Sequence, residues 1–83
     1  MNKILIKLYV PEIEEEYDVW LPLNKRVHKV TKLLMKAINE FSGGYYKPEK
    51  QPLLYDKQTA AAYDVNQRII ETNIRNGSEL ILI

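Results

Sequence analysis

The hydrophobic period of this chain changes twice along its length, and those two changes confine what it can fold into. Residues 3–10 alternate, with Ile4, Ile6, Leu8 and Val10 on one side and Lys3, Leu5, Lys7 and Tyr9 on the other. Successive strand residues point to opposite faces, so this is a strand with one buried side. Pro11 and the acidic run Glu14-Glu15-Glu16 interrupt it. A second alternation then sets Tyr17, Val19 and Leu21 inward and Asp18 and Trp20 outward. Two such strands joined by a short polar loop predict a hairpin. Pro22 ends the second strand, and from Lys25 the spacing lengthens. Val27, Val30, Leu34, Ile38 and Phe41 recur at three- and four-residue steps, which is one apolar stripe on a helix. Asn24 is the predicted N-cap, because its side chain can accept a bond from an orphan backbone N–H. Ser42-Gly43-Gly44 ends the helix, glycine being free to take the left-handed cap conformation.

The period then returns to two, in short pieces. Residues 45–52 read as a loop. Leu53-Leu54-Tyr55-Asp56 reads as a short strand with Leu53 inward and Leu54 outward, 57–59 as a turn, and 61–64 as a short fourth strand. Asn66 is predicted to cap a brief helical turn carrying Ile69. Ile74 follows, then the Asn76-Gly77 turn, where both residues tolerate positive φ, and an apolar strand over 78–83. One amphipathic helix covers only one face of a mixed sheet of four to five strands, so the expected class is α+β in two layers. The 83 residues carry no linker, repeat or low-complexity stretch and are expected to form one domain, 1–83, with a small core and a thin stability margin.

The element order and the hydrophobic positions resemble the β-grasp fold of ubiquitin over nearly the whole chain. Tyr17, Val19 and Leu21, then Val27, Val30 and Leu34, then Leu53, and finally Ile69, Ile74, Leu80 and Leu82 carry the likeness. Within that superfamily the chain looks most like the YukD/EsaB proteins of type VII (WXG-type) secretion. They are similar in length and end on the last strand without a diglycine. The run Asn73-Ile74-Arg75-Asn76-Gly77 before the last strand is similar in character too. The resemblance implies an accessory or regulatory protein that docks non-covalently, with a membrane or ATPase component of the secretion machinery as partner. Ubiquitin-type conjugation and sulfur carriage use a C-terminal Gly-Gly, whereas this sequence closes on Leu82-Ile83, so carboxylate activation is not expected.

Composition removes other chemistries. There is no cysteine, hence no disulfide, thiolate metal site or cysteine nucleophile. The net charge of +1 gives no bulk pull toward nucleic acid or lipid. No apolar run approaches the roughly 20 residues of a membrane span, and the N-terminal stretch is too short for a signal peptide, so a cytoplasmic location is expected. His28, the single histidine, lies among lysines and has no nucleophile or carboxylate placed beside it by sequence, so neither catalysis nor a cofactor is expected. The adjacent carboxylates Glu14-Glu15-Glu16 splay apart and read as a solvated loop, so no metal site is expected either. Gly43-Gly44 lacks a phosphate-loop Lys-Ser/Thr, and Asn76-Gly77-Ser78 is a turn before it is a sequon.

Two surfaces remain. In a β-grasp sheet the first and last strands lie side by side. Leu5, Trp20, Leu54, Ile81 and Ile83 are then expected on the outer face, a grouping that marks a protein-binding surface or a homodimer contact. Lys25, Lys29, Lys32 and Lys36 form a basic helical stripe that could hold nucleic acid or an acidic protein surface. A charged outer side is also the ordinary condition of an amphipathic helix. The leading expectation is an interaction module of a secretion system. A nucleic-acid-binding domain and an adaptor unrelated to secretion are the alternatives.

Overall fold

The computed structural model describes residues 2–83; Met1, where the reading of a leader segment begins, lies outside them. Four strands, β1 (Lys3–Val10), β2 (Glu15–Pro22), β3 (Leu54–Asp56) and β4 (Glu79–Leu82), form one sheet in the order β2-β1-β4-β3. β1 and β4 are parallel neighbours at its centre, and the other two pairings are antiparallel. The single helix α1 (Val27–Phe41) covers one face. Its Val27, Val30, Leu34 and Ile38 close over Ile4, Ile6, Leu8 and Val10 of β1, Val19 and Leu21 of β2, and Leu80 and Leu82 of β4, all buried. Ile69 and Ile74 complete the core, as the pattern predicted.

The hairpin turns through a short 3₁₀ segment, Pro11–Ile13, which proline starts well because its φ is already fixed. The helix does not start as predicted. Asn24 caps nothing; the N-cap is Arg26, and its side chain makes no cap bond. The first orphan N–H groups are satisfied by another part of the backbone. Val27 donates to the Gln67 carbonyl at 2.8 Å and His28 to the Val65 carbonyl at 3.1 Å. Ile69 and Ile70 donate in turn to the carbonyls of Lys25 and Leu23. A long-range lacing thus replaces a local cap, which explains why Lys25 and Arg26 stay extended rather than opening the helix.

Three further expectations are corrected. Segment 61–64 is not a strand: it touches β3 through one bridge, Tyr55 to Ala62, because a tight turn spends the intervening residues. In that turn Ala60 donates to Asp56 O, Asp56 donates to Ala61 O, and Ala60 is held at φ +62°. Phe41 leaves the core stripe. As the last helical residue it sits on the flank toward β2, 59% exposed, with its ring 5.7 Å from that of Tyr17. The loop 45–52, to which the sequence pattern assigned no core residue, contributes Tyr46 to the core. Its N–H donates to Ser42 Oγ, and its carbonyl accepts from Asn39 Nδ2. Burial, and then the nearby Glu12 carboxylate, push its phenol up to about 12.

Candidate protein-interaction surface

The outer face of the sheet is ordered by its register. Leu5 stands beside Trp20. The next outward row is charged, with Lys7 between Asp18 and Glu79, and beyond it Tyr9 lies between Glu16 and Ile81, which in turn faces Tyr55. At the far end Leu53 and Ile83 exchange backbone bonds of 2.7 and 3.1 Å, and both side chains are exposed. Lys57 closes the middle of this face. Its ammonium lies 3.9 Å from a Glu16 oxygen and 3.8 Å from a Glu79 oxygen, 5.8 Å over the ring of Tyr9. These are the ion pairs found among the described residues.

The predicted patch therefore comes apart. Leu5 and Trp20 adjoin and are exposed, Ile81 is half-buried beneath the aromatic row, and Ile83 lies at the opposite end. From the level of Leu5 to that of Ile81 is four residues of strand, roughly 13 Å. Leu54 is corrected outright: it pairs with Leu82, faces the helix and is 1% exposed. Leu53, the residue assigned inward, is the outward one. A one-residue slip exchanges the two faces of a strand, and Leu53-Leu54-Tyr55 has no alternation of its own to fix the phase.

Sequence reasoning missed the groove along the other side of β2. Trp20, Leu33 and Phe41, each more than half exposed, line a cleft between β2 and α1 together with Asp18, Pro22 and Ala37. It runs into a hollow at the hairpin end, lined by Glu12, Glu14, Glu15, Tyr17, Phe41 and Tyr45. The available signal was Leu33, an apolar residue off the core stripe and one turn from Ala37.

The lysine stripe is only partly built. Lys29, Lys32 and Lys36 are exposed on α1, while Lys25 precedes the helix and lends its carbonyl to Ile69. His28 is half-buried near the helix start. Among the described residues no group of acidic and histidine side chains has metal-site geometry, and no helix is long and apolar enough to cross a membrane.

The segment Asn73–Gly77 proves structural. Asn76 Oδ1 accepts the Leu5 N–H at 2.8 Å, and Gly77, at φ +85°, donates to the Leu5 carbonyl at 2.8 Å. The asparagine amide thus stands in for a peptide group and extends the β1–β4 ladder by one step. Asn73 accepts from the Tyr63 hydroxyl at 2.8 Å, which ties the segment after β3 to the approach to β4.

Parallel end strands at the centre of a mixed four-stranded sheet, a hairpin and one covering helix define a ubiquitin-like β-grasp domain. No family model matches the chain, and no curated protein matches it by sequence. Its structural neighbours include ubiquitin-like domains of type VII secretion proteins, alongside domains as different as a plant ubiquitin-like domain and a chain of a toluene 4-monooxygenase complex. The EccD5 ubiquitin-like domain from Mycobacterium xenopi superposes with a TM-score of 0.83 at 15% identity, over 100% of this chain and 94% of that one. The ubiquitin-like domain of the Mycobacterium tuberculosis type VII secretion system protein ECCD1 gives 0.78 at 13%, over 100% and 99%. A chain of the MycP5-free ESX-5 inner membrane complex gives 0.83 at 18%; this chain is covered whole but spans only 21% of that longer one. At such identities the likeness establishes the fold, and function has to be argued from surfaces.

Proposed function

We propose that this chain is a non-conjugated ubiquitin-like interaction module, an accessory or regulatory part of a type VII secretion apparatus of the YukD/EsaB kind. Its partner is a protein of that apparatus, on the membrane or ATPase side, and the module works at the periphery of the complex. The observation that carries the reading is the Leu5–Trp20 pair, exposed side by side on adjoining strands of the sheet face that no helix covers. An exposed tryptophan with an aliphatic neighbour offers a large desolvation gain at small entropic cost, the usual composition of a binding hot spot. The secretion assignment is supported by the neighbours described above that belong to type VII secretion systems.

The test is co-purification of the tagged chain with secretion-complex components, compared with Leu5→Asp and Trp20→Ser variants. Both positions are exposed, so the circular dichroism spectrum is expected to stay native while capture falls by about tenfold or more. Undiminished capture by both variants would remove this face from the reading. A nucleic-acid role for Lys29, Lys32 and Lys36 rests only on their exposure and on their having no ion pair among the described residues. It calls for a steep fall of affinity with salt, and no retardation of RNA or DNA at low salt would dismiss it.

A further inference from the structure

Going beyond that reading, we propose that the groove between β2 and α1 receives an extended strand of another protein, alternating apolar and basic side chains, which pairs with β2 as a fifth strand. β2 is eight residues long and bonded on one side only. The phase of its ladder is fixed by the bond from Leu23 N–H to the Asn2 carbonyl, 2.7 Å. Antiparallel residues alternate between bonding their partner strand and facing away. Tyr17, Val19 and Leu21 therefore bond β1, and the N–H and C=O groups of Glu16, Asp18 and Trp20 point out of the sheet. Among the described residues no other segment bonds that side. A long bare edge is a template for an added strand.

The walls decide the chemistry of the occupant. Alternate side chains of an added strand would drop into the cleft beside Leu33, Ala37 and Phe41, which asks for apolar residues. The intervening side chains would stand opposite Glu16 and Asp18 on the outer face, which asks for cations. At the hairpin end Glu12, Glu14 and Glu15 surround the rings of Tyr17, Phe41 and Tyr45, the last 85% exposed. Carboxylates around open aromatic faces favour a lysine or arginine there, through charge and cation–π attraction together. Glu15, Glu16 and Asp18 are the charged residues of β2, with no cation among them, so a second copy of this strand meets like charge where a basic strand meets opposite charge. From Glu16 to Leu21 the edge accommodates about six residues at roughly 3.3 Å each.

The probe is a soluble hexapeptide, acetyl-Lys-Ile-Lys-Val-Lys-Ile-amide, with a control carrying Glu for each Lys. Titration into the labelled protein is expected to shift the amides of Glu16, Asp18 and Trp20 and to slow their hydrogen exchange. Leu33→Asp and Asp18→Lys, both at exposed positions, are each expected to weaken binding by about tenfold, and Ile83→Asp to leave it unchanged. Equal binding of the acidic control overturns the proposal. So do shifts confined to the face around Leu5, or dimerisation of the free protein through β2 in sedimentation. Its failure is separable from failure of the docking role, since Leu5→Asp tests that role and lies outside the groove.

Discussion

The two edges of the sheet are treated in opposite ways. β3 is three residues long, and the chain folds back to shield it: Asp56 donates to Ala61 O, Tyr63 donates to Leu54 O, and Tyr55 bridges Ala62. The Tyr63 hydroxyl then ties that cover to Asn73. β2 is more than twice as long, carries the exposed Trp20, and among the described residues nothing pairs with its outer side. Protecting one edge and leaving the other bare teaches that exposure on β2 is not a general looseness of the fold. The chain spends the segment 57–63 on covering the short edge and leaves the longer one unpaired among the described residues.

The largest effect should come from breaking the closed side. Leu54→Ala is expected to cost roughly 2–5 kcal/mol, as for other fully buried leucines, while Leu53→Ala next to it stays within about 0.5 kcal/mol; urea unfolding of the two variants reads the difference directly. Proline then asks which backbone groups of β2 are in use. Val19→Pro removes a ladder bond and should cost about 3 kcal/mol or more, whereas Asp18→Pro removes an N–H that faces solvent and should cost markedly less. Equal losses at the two positions would mean the phase of the edge is assigned wrongly. Smaller still is the cover over β3: Tyr63→Phe loses one hydroxyl bond and should cost about 1 kcal/mol, visible as faster exchange of the Asp56 and Tyr63 amides.

The same tyrosine gives a pH dependence. Burial, then the charge of Asp56, push the Tyr63 phenol up to about 12, and Tyr46 reaches about 12 by burial and Glu12. Both are raised above the unfolded value of 10.0, so the folded state favours the protonated phenol. The stability they contribute is complete below pH 10 and is lost as pH rises through about 12. Alkaline unfolding followed by fluorescence should set in within that window, and Tyr46→Phe should move it upward.

What could be read in advance was what repeats. β1, β2 and α1 are long enough for their periods to declare both the element and its buried side, and Ile4 through Ile38 fall where the pattern puts them, Phe41 excepted at the helix end. β3 is too short for that. Three apolar residues in a row admit either phase, and only pairing with Leu82 seats Leu54 inside. Tyr46 was hidden in a loop with no apolar period because its burial comes with Ser42 and Asn39 fixing the backbone. The helix start was misassigned for a related reason: its caps are the carbonyls of Val65 and Gln67, some forty residues away. The outer face showed its residue types but not their grouping, since Lys57 crosses from beyond β3 to sit over Tyr9. The groove on β2 depends on which flank of α1 faces the edge, a matter of packing rather than period.

The side-by-side placement of β1 and β4 has a mechanical meaning. The strands run parallel, so the chain enters the sheet at one end and leaves it at the other. Tension drawn between the two ends acts along the strands and loads the bonds between them together, in shear, where an antiparallel pair pulled at its open end would unzip one bond at a time. The Asn76 amide and the Gly77 N–H, both fastened to Leu5, lengthen the stretch that must yield at once. Forced opening is governed by the rate of unfolding and not by equilibrium stability. A small domain can in this way resist a pull along its strands out of proportion to its equilibrium stability.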